Sequence, residues 1–69
     1  MSKAQIYKEV AYWLDRAETK IYKGDFTGAN HNMLYDLEKY ITKIEKNRLT
    51  KKFFDKYAEL DAILESKGY

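Results

Sequence analysis

Gly24-Asp25 is the one sharp break in a chain whose apolar residues otherwise recur at helical spacing. Any fold of this sequence has to turn there, and the two flanking amphipathic stretches have to fold back on each other. Gly24 follows an apolar-periodic run and suits the left-handed position just past a helix end, where a Cβ would clash. Asp25 or Thr27 can then accept from the free N–H groups that open the next helix. Gly28 and Asn30 lower helix propensity in its first turn. Phe26, between the two glycines, is placed to plug the open end of a helical hairpin. The chain has no proline, which fits long uninterrupted helices.

The apolar spacing predicts three helices. The first spans about residues 3 to 23, with Ser2 and Gln5 as a capping box. Ile6, Val10, Trp13, Ala17 and Ile21 recur at spacings of 4, 3, 4 and 4, one face of a helix. Tyr7 and Leu14 widen that face, and Lys8, Glu9, Tyr12, Asp15, Arg16, Thr19 and Lys23 lie opposite. The second helix spans about residues 28 to 46. Ala29, Met33, Leu37, Tyr40, Ile41 and Ile44 face inward there, with His31, Tyr35, Glu38, Lys39, Thr42 and Lys46 outward.

Asn47-Arg48-Leu49-Thr50 reads as a short connection. Asn47 tolerates the left-handed conformation that ends the second helix, and Thr50 is a natural N-cap for the third. The third helix spans about residues 51 to 67, and Gly68 stops it. Phe53, Phe54, Tyr57, Leu60 and Leu64 form its stripe. Asp61 falls inside that stripe and Ile63 outside it. Either Asp61 is paired in the core, with a tyrosine hydroxyl, the Trp13 N–H or Arg16, or the helix is rotated and part of Phe53, Phe54 and Tyr57 faces a partner. Short connections make neighbouring helices antiparallel. The expected fold is therefore all-α, a small antiparallel three-helix bundle in one domain: a helical hairpin with a third packing helix.

Around the first turn, Trp13, Ala17, Gly24-Asp25-Phe26 and Ala29 are spaced as in a tetratricopeptide hairpin, with Met33 near that pattern's later aromatic position. The resemblance covers about residues 10 to 43. The chain departs from the pattern at Arg16, where an apolar residue is expected, and at Lys20, where an aromatic is. No proline ends the unit, and there is one copy where about three are needed to bury a continuous core. The resemblance implies a peptide- or protein-binding scaffold and no chemistry.

The 69 residues allow only a limited core, and one below about 70–80 residues rarely supplies more than about 3–5 kcal/mol. There is no cysteine for a disulfide or a thiolate metal site, and the lone His31 gives no zinc-ligand spacing. Aromatic residues make up 16% of the chain, seven of them tyrosine, which raises the buried area available per residue. A net charge of +2 does not demand nucleic acid and counts against an acidic DNA mimic. No apolar run is long enough to span a bilayer, and Met1 to Val10 lacks the apolar region of a signal peptide. The expectation is a cytoplasmic protein with no membrane partner.

No catalytic, cofactor-binding or metal-ligating residue is expected. A nucleophile needs an adjacent base and an orienting group, and neither is signalled. The segment from Gly24 to Gly28 lacks the lysine and the preceding strand of a phosphate-binding loop. His31 alone on a polar helix face, and the carboxylate pairs Asp55-Glu59 and Asp61-Glu65, read as solvated surface. The expected function is a small non-enzymatic protein–protein interaction module: an inhibitor, adaptor or regulatory subunit. The residues that carry it break the helical pattern. Tyr12, Tyr35 and Ile63 should point away from the core, with Arg16, His31 and Lys39 beside them, and aromatic anchors are enriched at interface centres. The Lys-, Tyr- and Asn-rich composition suits an AT-rich bacterial, phage or mobile-element genome, where small proteins that block a host machine occur. The alternative is a nucleic-acid-associated protein using Lys43, Lys46, Arg48, Lys51, Lys52 and Lys56. Against Glu45 and Asp55 these six leave a local excess of +4, enough for salt-sensitive phosphate binding. Only one of the six is Arg, the usual reader of guanine, and lysines also suit the C-terminal end of a helix dipole. Self-association into a homo-oligomer is the third reading.

Overall fold

A computed structural model describes all 69 residues. The first helix runs Lys3–Tyr22, and Ser2 Oγ accepts the Gln5 N–H at 3.2 Å to open it. It closes as the turn chemistry requires. Gly24 adopts φ +80°, its N–H donates to the Ile21 carbonyl at 3.0 Å, and the Asp25 N–H reaches back to Lys20 at 2.8 Å. That pair of bonds is the Schellman arrangement, which satisfies carbonyls that a helix end leaves free. Asp25 then caps the second helix, its Oδ1 accepting the Gly28 N–H at 2.9 Å. Thr27 takes no part in the cap; its hydroxyl donates to Tyr69 Oη at 3.2 Å.

The second helix covers residues 26–41 and is not uniform. It begins as α-helix over Phe26–His31, widens to π-helix over Asn32–Leu37, and closes as α-helix over Glu38–Ile41. A π-helix is closed by bonds that reach five residues back, as the Glu38 N–H does to Met33. The wider turn keeps Met33, Leu37 and Ile41 on one face at a strict spacing of four, and all three are buried. It also draws in Asn32, 7% exposed, whose Nδ2 has no hydrogen-bond partner.

The second helix ends at Ile41, five residues short of the expected Lys46. The loop that follows is organised by Thr50, which is completely buried. Its hydroxyl donates to the Glu45 carbonyl at 2.5 Å and accepts the Asn47 N–H at 3.0 Å. The Asn47 side-chain oxygen accepts from the Leu49 and Thr50 N–H groups at 2.8 and 3.0 Å. Residues 45–50 are thus tied to one another in a non-helical loop. Two expectations are corrected here. Asn47 does not adopt a left-handed conformation, since only Gly24 and Gly68 have positive φ. The Thr50 side chain knits the loop and does not cap the third helix.

The third helix runs Lys51–Ser66. Its end repeats the first turn: Gly68 at φ +89° bonds back to Glu65, and the Tyr69 N–H to Leu64 at 2.9 Å. That turn aims Tyr69 at the first hairpin, where its ring lies 6.3 Å from Phe26, with Lys67 above the Phe26 ring.

The helices meet as an all-α three-helix bundle. Val10, Leu14, Ala17 and Ile21 of the first helix pack on Ala29, Met33, Leu37 and Ile41 of the second, and Leu60 and Leu64 come from the third. Each fully buried Leu-sized side chain contributes about 1.5–3 kcal/mol. Ala17 and Ala29 are both fully buried, and their small side chains suit close packing of the hairpin beside its turn. The third helix leans on the first through an ion pair between Lys56 and Glu18 and through Tyr7, 6.2 Å from Phe53. It is rotated from the simple reading of its stripe. Ile63, expected on the outside, is half-buried against the core, and Asp61 is exposed with no ion pair or hydrogen bond. No helix is long and apolar enough to cross a membrane.

Candidate functional site

The outward face of the first helix carries a preassembled cluster. Tyr12 is 53% exposed. The Trp13 ring stands edge-on to it, with centroids 4.9 Å apart and planes at 86°. Arg16, one turn on, donates from Nη1 to Tyr12 Oη at 3.4 Å and sets its guanidinium 5.6 Å from the Trp13 ring centroid. Trp13 itself is anchored. Its Nε1–H donates to Glu9 Oε2 at 3.1 Å, and the inner side of the ring packs on the core. Spacings of three and four residues set Trp13 beside both Glu9 and Arg16, and Tyr12 beside Arg16.

Beside Tyr12 lies a shallow dish lined by Asp15, Arg16, Thr19, Lys20 and Lys23. Lys20 leans 3.4 Å toward Asp25. The backbone bond from Gly28, and then Lys20, hold the Asp25 carboxyl below its ordinary pKa of 3.8. The dish is a cationic surface with one carboxylate in it.

The remaining candidates separate. His31 and Tyr35 pair edge-on at 5.3 Å on the exposed side of the second helix. No ring contact or hydrogen bond joins them to the Tyr12 cluster. Lys39 lies over Tyr40 at 5.6 Å and not over Tyr35. Ile63 packs inward and leaves the set.

The basic residues are partly engaged within the chain. Lys51 pairs with Asp55 at 2.7 Å, and Lys56 with Glu18, a hydrogen bond that raises the Lys56 pKa. Lys43, Lys46 and Lys52 lie over the rings of Tyr40, Phe54 and Phe53. Arg48 makes neither kind of contact. Lys46, Arg48 and Lys51 line one open cleft beside Phe54.

A groove of about 470 Å³ opens between the second and third helices, floored by Ile41, Ile44, Phe54, Tyr57 and Ala58. Thr42, Ile44 and Lys46, from the loop that follows the end of the second helix at Ile41, supply part of its lining. Glu38 and Lys46 stand at its edges. Burial, and then the charges of Glu38 and Asp61, raise the pKa of the Tyr57 hydroxyl. No group of three or more His, Cys, Asp or Glu side chains is placed to hold a metal ion.

Three of these features have little signal in the sequence. Trp13 reads as core and is half surface. Nothing in the periodicity marks the π segment that buries Asn32, and the loop bonds of Thr50 depend on the fold. No protein-family model, curated protein or solved structure was found to match the chain. The tetratricopeptide resemblance thus has no family match behind it.

Proposed function

We propose that this chain is a protein-binding module that docks its partner on the Tyr12, Trp13 and Arg16 cluster of the first helix. The observation that carries this reading is the mutual locking of the three side chains on an exposed face. Tyr, Trp and Arg are the residue types that dominate binding energy at interfaces. Here they hold one another before a partner arrives, so less side-chain entropy is lost on docking. The neighbouring Arg16, Lys20 and Lys23 favour a partner whose rim is acidic, and such charges mainly speed and orient encounter. The module acts by occupying its partner, as an inhibitor, adaptor or regulatory subunit does.

Affinity capture from a lysate of the encoding organism, with nuclease and moderate salt, tests the proposal. One stoichiometric protein, lost when Tyr12→Ala and Arg16→Ala are combined in a variant of unchanged helicity, supports it. Capture restricted to nuclease-sensitive material moves the function to the Lys43–Lys56 region.

A further inference from the structure

The basic residues around the second connection do not share one surface. Lys52 and Lys56 lie on the side of the first helix, where Asp15 and Glu18 stand with them, and Lys56 is paired with Glu18. Lys46, Arg48 and Lys51 line one open cleft with Asn47 and Phe54, and no carboxylate lines it. A second depression adjoins the cleft at Asn47, and there Lys43 meets Lys3 from the start of the first helix. The fold thus gathers Lys3, Lys43, Lys46, Arg48 and Lys51 at one end of the bundle and leaves Lys52 and Lys56 out.

We propose that this end is a nucleic-acid-binding surface, separate from the Tyr12 cluster, that holds the phosphate backbone without reading sequence. Charge selects the occupant. Against the five cations the two depressions hold one carboxylate, Glu45, and Asp55 pairs with Lys51 from outside them. Arg48 has no ion pair, side-chain hydrogen bond or aromatic ring within the protein. Lys46 lies over the Phe54 ring, a contact that leaves its charge unneutralised.

Shape and chemistry narrow the class. The cations come from the first helix, the loop and the third helix, and they spread over an open surface instead of converging on one point. That spacing suits an extended polyanion better than a single phosphate. Phe54 is the one apolar residue of the cleft, and Lys46 covers it. An acidic protein would find no aromatic anchor there, whereas phosphate contacts need only charge. Four of the five cations are lysine, so bidentate readout of bases is not built in. The bonds of Thr50 and Asn47 fix the loop that carries Lys46 and Arg48.

Fluorescence anisotropy of a short labelled DNA duplex, titrated with the intact protein at low salt, tests this proposal. Four to five phosphate contacts at about −0.9 each predict a log–log salt slope of about −4. Combined Lys46→Gln and Arg48→Gln should weaken binding at least tenfold and make the slope shallower by about 2. Combined Lys52→Gln and Lys67→Gln removes the same charge away from the site and should change neither. A duplex of unrelated sequence should bind equally well, and Tyr12→Ala with Arg16→Ala should leave binding unchanged. Circular dichroism confirms that each variant is folded. No binding at low salt, equal losses in the two charge-matched variants, or a polyglutamate chain that binds as tightly as the duplex overturns the proposal. Loss of binding in the Tyr12 and Arg16 variant also overturns it, by placing the duplex on the first helix. Because only purified protein and DNA are used, failure here is distinct from failure of the proposed protein docking.

Discussion

The indole N–H of Trp13 donates to the carboxylate of Glu9 at 3.1 Å, one turn earlier on the first helix. That bond lets one side chain serve two environments. The inner side of the ring packs on the core, and its outer edge meets Tyr12 and Arg16. Trp13→Ala is expected to cost about 3 kcal/mol, the low end for truncating a large aromatic because the ring is half-buried. Glu9→Ala removes only the hydrogen bond and should cost about 1 kcal/mol. Urea denaturation followed by circular dichroism measures both. A Trp13→Ala protein as stable as wild type would mean that the ring does not pack on the core.

Thr50 holds the loop that ends the second helix, and its hydroxyl is both donor and acceptor in a fully buried position. Thr50→Val keeps the shape and strands two backbone groups, at an expected cost of about 1–3 kcal/mol. Thr50→Ser keeps the hydroxyl and should lose less. If the two variants unfold at the same urea concentration, the hydroxyl bonds are not what stabilises the loop.

Gly28 sits in a helix, where alanine normally adds up to about 1 kcal/mol. A Cβ at this position would collide with the Asp25 carboxylate that caps the helix. Gly28→Ala is therefore expected to forgo the usual gain and leave stability nearly unchanged, because moving the carboxylate aside gives up a cap worth about 1 kcal/mol. A stabilised variant in thermal melting would show that the cap relocates freely.

The same cap predicts a pH dependence. Asp25 is held below its ordinary pKa of 3.8, first by the Gly28 N–H and then by Lys20. A carboxyl depressed in the folded state stabilises it above the unfolded pKa, and the contribution is lost as pH falls through the folded value. Thermal stability should therefore decline below about pH 4, and Asp25→Asn should flatten that part of the profile. An identical acid profile in the variant would assign the decline to other carboxylates.

The first helix, its turn and the bundle class were readable because local chemistry and periodicity agree there. Ser2, Gly24 and Asp25 act through bonds to their immediate neighbours, and Val10, Leu14, Ala17 and Ile21 face the core as their spacing requires. The second helix was overextended because Thr42 to Lys46 carries no local stop signal. The loop that replaces its expected last turn is held by a buried hydroxyl nine residues past Ile41, at Thr50. The π segment was equally hidden, since no residue type encodes a five-residue hydrogen bond. On the third helix, Asp61 and Ile63 signalled a conflict in the stripe, and the structure resolves it by rotation. Of the outward candidates, Tyr12 and Arg16 come together on one face. Tyr35 keeps His31 beside it, but the sequence could not show that Lys39 would turn to Tyr40.

Tyr12 and Arg16 together form the proposed docking face on the first helix. The most direct test compares wild type with a Tyr12→Ala, Arg16→Ala variant in affinity capture at moderate salt with nuclease, after confirming equal helicity. One stoichiometric protein partner is expected for the wild type and its loss from the variant, consistent with anchors worth about 2 kcal/mol or more each. The same partner retained at equal yield by the variant would contradict it.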